Sequence, residues 1–155
     1  MLRSKAAPSR LPMRLLAGLM LVAIPNSAAY AQSCARSDFE AVVDDAAEAL
    51  RQLNAQNKPV FQELLRTLKD KRGWDHDVYL REATPFVQDE KIDTLDQRSQ
   101  DLLTDIATLG EEGTAAPTPD CALLAELRKR MQELVAAQTA KWEYMFTKLR
   151  TEIDK

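Results

Sequence analysis

From position 39 onward, apolar residues recur every three or four positions in three long runs, each bounded by turn-forming residues. One turn of an α-helix holds 3.6 residues, so this spacing predicts helices with one apolar stripe each. The first stripe is Phe39, Val43, Ala46, Leu50 and Leu53, followed by Asn57, Val60 and Leu64. It stays in phase across Pro59, which predicts a helix over 37–72 kinked near 59, or two helices in line. Ser37 followed by Glu40 has the form of a capping box, Leu65 and Leu68 widen the stripe, and Gly73 can close the helix in the left-handed conformation.

The second run covers 77–109. Its later part, Ile92, Leu95, Ser99, Leu102, Ile106 and Leu109, alternates spacings of three and four as a coiled-coil seam does. Thr84-Pro85 predicts a kink or break near 85, Gly110 predicts the helix end, and 111–119, with Gly113, Pro117 and Pro119, reads as a loop. The third run, 121–154, starts behind Asp120, a residue able to cap free backbone N–H groups. Leu124, Leu127, Met131 and Leu134 form its stripe. After Gln138 the stripe continues as Trp142, Met145, Leu149 and Ile153, with Phe146 beside it and a stutter that rotates the seam. No strand-like alternation occurs. The fold class expected is therefore all-α: an elongated, coiled-coil-like, up-down-up three-helix bundle forming a single domain over 32–155.

The residues ahead of this domain change the setting. Arg3, Lys5, Arg10 and Arg14, with no acid among them, precede an apolar run over 15–24 that is too short to cross a bilayer. Ala29-Tyr30-Ala31 then offers small residues at a cleavage site. Residues 1–31 are expected to be a signal peptide cut after Ala31, so that the mature chain is periplasmic or secreted and carries no membrane span. Removal takes away four of the 21 basic residues and none of the 24 acids, leaving a net charge of −7. An acidic domain is a poor match for nucleic acid, whose phosphates reward Lys and Arg clusters.

Export also governs the two cysteines, Cys34 and Cys121, which an oxidising compartment would join. In an up-down-up bundle the first and third helices start at the same end, which brings this pair within reach. Asp75-His76-Asp77 could suggest metal ligands, yet one histidine with no second cluster makes a capping turn the better reading. Phosphate loops, Gly-x-Ser-x-Gly and His-Glu-x-x-His are all missing from the sequence. Neither an enzyme nor a cofactor or metal is expected.

Aromatic residues Phe61, Trp74, Tyr79, Phe86, Trp142 and Phe146 fall toward the end remote from the cysteines, beyond the two prolines. They either line a groove or fill space that the prolines create. The candidate binding site is this aromatic distal end, holding a protein segment or a small apolar ligand. The alternative is a structural or self-assembling envelope protein, the helices associating into an oligomer. In outline, a leader followed by long helices, the chain resembles small exported chaperone-like helical proteins of bacteria. Neither the Leu-Thr-x-x-Gln signature of one such group nor the strong basic charge of another is present, so the resemblance assigns no residue a role.

Overall fold

The disulfide between Cys34 and Cys121, with Cα atoms 5.1 Å apart, joins the starts of two long helices in a computed structural model that describes residues 34–155. These are α1 (Arg36–Arg72) and α4 (Cys121–Asp154); between them lie α2 (His76–Ala83), a 3-10 turn (Thr84–Phe86) and α3 (Glu90–Ala115). The described residues are all-helical, with four α-helices packed together and no strand. Residues 1–31, the expected signal peptide with its cleavage after Ala31, lie outside the described residues. No helix among the described residues is long and apolar enough to cross a membrane.

Helix α4 packs along both α1 and α3, whereas α1 and α3 touch each other much less. At the ends remote from the disulfide, the Lys71 ammonium donates to the Ile153 carbonyl and Arg72 Nη2 to the Glu152 carbonyl at 3.2 Å. Helices α1 and α4 are thus tied at both ends. Contacts between α3 and α4 run in opposite order along the two helices: Arg130 reaches Asp105 (3.6 Å), Gln138 meets Ser99, and Lys141 meets Asp96.

The buried side chains form two separate apolar cores. Beside the disulfide, Cys34, Phe39 and Ala46 pack with Leu102, Ile106, Leu124, Leu127, Met131 and Leu134. At the other end, Phe61, Leu65 and Leu68 pack with Phe86, Ile92, Met145, Phe146 and Leu149. A polar layer separates them: Gln138 Nε2 donates to Ser99 Oγ at 2.8 Å, and the Ser99 hydroxyl donates to the Leu95 carbonyl at 2.9 Å. Close by, Trp142 Nε1 donates to Asn54 Oδ1 at 3.1 Å. Satisfied polar groups at this level fix the register of α3 on α4, a role that buried polar side chains in helical seams commonly serve.

Several expected details differ. Helix α1 begins one residue early, with Ala35 as its N-cap and the Asp38 carboxylate accepting the Ala35 N–H at 2.9 Å; Glu40 pairs instead with Arg36. Beyond Pro59 the buried stripe is Phe61, Leu65 and Leu68, while Val60 stays 49% exposed. At 3.6 residues per turn the core-facing position four after Asn57 is Phe61, so counting three onto Val60 misplaces the seam. Pro59 sits inside one continuous helix. Asn57 does not reach Gln138, because its side-chain amide donates to the Leu53 carbonyl at 2.8 Å. The 77–109 segment breaks near 85 as Thr84-Pro85 suggests, with α2 ending at Ala83 and a 3-10 turn over Thr84–Phe86, but the fresh α-helical start lies later, where Asp89 caps α3 through the Ile92 N–H at 2.9 Å.

Gly110 does not end α3, which continues to Ala115 and shortens the expected 111–119 loop. The stop comes from Pro117, whose ring disfavours helical geometry at Ala116, and Ala116 has left the helix with ψ 129°. Gly113 lies inside the helix with the Phe39 ring resting on its backbone; a Cβ there would overlap three ring carbons.

Candidate functional site

The distal end is shaped by how α1 stops. Gly73 takes the left-handed conformation (φ 63°, ψ 31°), its N–H donates to the Asp70 carbonyl, and the Trp74 N–H returns to the Lys69 carbonyl at 3.1 Å. This paired closure reverses the chain and folds Trp74 back against the second core. Asp75 then caps α2 by accepting the Val78 N–H at 2.9 Å, so its carboxylate is engaged in starting a helix. Among the described residues no three His, Cys, Asp or Glu side chains converge as a metal site.

Helix α2 buries none of its residues, and Leu80 on it is 56% exposed. The 3-10 turn that follows buries Phe86, whose ring joins the second core. Between this α2 and 3-10 segment and the ends of α1 and α4 lies an open cleft of ≈ 550 Å³. Leu68, Trp74, Pro85 and Phe86 supply its apolar lining. Its polar margin is drawn from Arg72 and Glu82 on one side and Lys148, Thr151 and Glu152 of α4 on the other.

The six expected aromatic residues therefore divide. Trp74 and Phe86 line the cleft. Phe61, Trp142 and Phe146 instead pack on one another, with ring centroids 5.7 to 5.9 Å apart and Phe61 edge-on to both partners at 69° and 77°. Such edge-to-face packing adds to apolar burial, and it occupies these three rings in the core. Tyr79 packs against the same core, with the Lys69 ammonium 5.5 Å from its ring centre.

Sequence reasoning missed the polar margin. Lys148 donates to the Pro85 carbonyl and to the Asp89 carboxylate, joining α4 to the 3-10 turn and to the start of α3. The Tyr144 hydroxyl donates to the same carboxylate at 2.9 Å. Hydrogen bonding by Lys148, then by the Ile92 N–H, holds Asp89 down from its ordinary 3.8 to about 2, and the neighbouring carboxylate pushes the Tyr144 phenol up. The signal available was Asp89 three residues ahead of Ile92, the start of the regular seam, which marks a helix start.

This cluster has a measurable acid signature. A carboxyl that ionises near 3.8 when unfolded and near 2 when folded favours the native state above about pH 4, and the advantage disappears as pH falls through about 2. Asp89→Asn keeps an N-cap while removing the charge. The melting temperature of the native chain should exceed that of the variant at pH 5, with the gap closing toward pH 2. A gap independent of pH would assign the difference to packing rather than to the Lys148 pair.

No protein-family model matches this chain, and no curated protein or solved structure matches it either, so its functional reading rests on its own geometry.

Proposed function

We propose that this chain is an exported, non-enzymatic binding module. Residues 1–31 direct it across a membrane and are removed after Ala31, and the mature domain acts in the periplasm or outside the cell as an elongated up-down-up three-helix bundle. Its distal cleft holds an apolar small molecule or an apolar stretch of another protein. The observation that carries this reading is the cleft between Trp74 and Phe86, flanked by a helix with no fully buried residue. A segment with few buried contacts opens at low cost, which gives a ligand a way in. The cleft's polar side chains are held by internal partners, Lys148 by Asp89 and Arg72 by Glu152, which leaves apolar contact as the source of affinity.

Fluorescence of a hydrophobic dye added to the native chain tests the proposal. The dye should brighten on binding, and Thr151→Trp, which places a bulky side chain in the cleft from an exposed position, should abolish the response without lowering the melting temperature. A dye response unchanged in Thr151→Trp and in Trp74→Ala would reject the cleft as the site.

A further inference from the structure

A second apolar groove lies at the opposite end, beside the disulfide-end core, where α1 and α3 face each other with little contact. Its volume is ≈ 580 Å³. Phe39 and Ile106 form its floor, and Val43, 39% exposed, stands on its α1 wall. On the α3 side, Ala107 and Gly110 leave the wall low, and a Cβ added at Gly110 would meet nothing within 4 Å. Leu103, one turn before Ala107, is 52% exposed and prolongs the apolar track. From Leu103 to Thr114 the track runs about 16 Å at ~1.5 Å rise per residue, matching three turns of an incoming helix.

Charge selects the occupant. The ionisable side chains lining this groove are Glu40, Asp44 and Glu111, all acidic, and Arg36 reaches only Glu40, from a highly exposed position. We infer that the groove between α1 and α3 docks a cationic amphipathic helix of another protein, its apolar face on Phe39, Val43 and Ile106 and its lysines or arginines beside the three carboxylates. Small residues at 107 and 110 let the partner's backbone approach closely, and complementary charge sets its orientation and speeds encounter. This site is separate from the distal cleft and does not depend on it.

Fluorescence anisotropy of a labelled fourteen-residue leucine and lysine helix, titrated with the purified chain, tests the inference. The lysine peptide should bind and its leucine and glutamate counterpart should not. Binding should weaken at least about tenfold in the triple variant Glu40→Gln, Asp44→Asn, Glu111→Gln, with a flatter dependence on salt. Gly110→Gln, which fills the track in open space and removes a helix-interior glycine, should weaken binding similarly while the fold is kept. Equal binding of both peptides, or undiminished binding to both variants, would overturn the inference. So would self-association that these variants abolish, which would make a second copy the occupant. Binding seen only when residues 1–31 are absent would likewise overturn it, in favour of the chain's own basic leader. Dye binding at the distal cleft should be unchanged in these variants, so the two sites fail or stand separately.

Discussion

Cys121→Ser is expected to lower the stability of the folded chain by about 4 to 5 kcal/mol, the loop-closure value for a bridge spanning 87 residues. The bridge acts on the unfolded chain, in which it keeps positions 34 and 121 together, and all of α1, the linking elements and all of α3 lie inside the closed loop. Against a total of about 5 to 15 kcal/mol for a typical domain, that is a large share. Cys121 is the informative position because it is exposed, whereas Cys34 is buried in the first core and a serine there would add the cost of placing a hydroxyl among apolar side chains. Urea unfolding of the oxidised chain, the variant and the reduced chain measures the effect. Unfolding free energies within about 1 kcal/mol of each other would show that packing between α1 and α4 alone already sets their pairing.

The two glycines of α3 should respond to alanine with opposite signs. Gly110→Ala places a methyl in open space inside a helix and should stabilise by about 1 kcal/mol, the usual gain in helix propensity. Gly113→Ala gains the same propensity but drives its methyl into the Phe39 ring. That ring is only 2% exposed and packs among residues of the first core, so it cannot swing away without opening a void. Overpacking costs typically about 1 to 3 kcal/mol, which outweighs the propensity gain and makes the variant less stable. Thermal unfolding of the pair decides the matter; a stabilised Gly113→Ala would mean that the ring does not rest where the structure places it.

The all-helical class and the cysteine pairing were legible in the chain, because periodicity reports which face of a helix is buried and two cysteines that start helices at the same end have one simple fate. The seam of α3 is an example: Ile92, Ser99, Leu102 and Ile106, all expected on it, are buried. Positions set by contacts between distant segments were not legible. Gly113 reads as a loop residue until Phe39, far away in sequence, is laid across it. Pro59 leaves open one kinked helix or two in line, and it takes Phe61, Leu65 and Leu68, packed against a distant part of the chain, to carry the stripe onward as one helix. At the candidate site, composition pointed to the aromatic end as a whole. It could not tell rings consumed by one another, Phe61, Trp142 and Phe146, from those left facing a cleft, Trp74 and Phe86, because that division depends on where α2 and the 3-10 turn come to rest.

Between Ala46 and Phe61, α1 has no fully buried side chain; Leu50 lies partly buried against the first core, and Asn54 accepts from the Trp142 indole N–H. About four turns of helix therefore form a lightly packed span, anchored more firmly on the disulfide side and again at the aromatic side. Such a span can flex in its middle while both abutments hold, so a disturbance at one extremity need not travel to the other. The two grooves described above stand on opposite banks of that span, and each can fill or empty without consulting its neighbour.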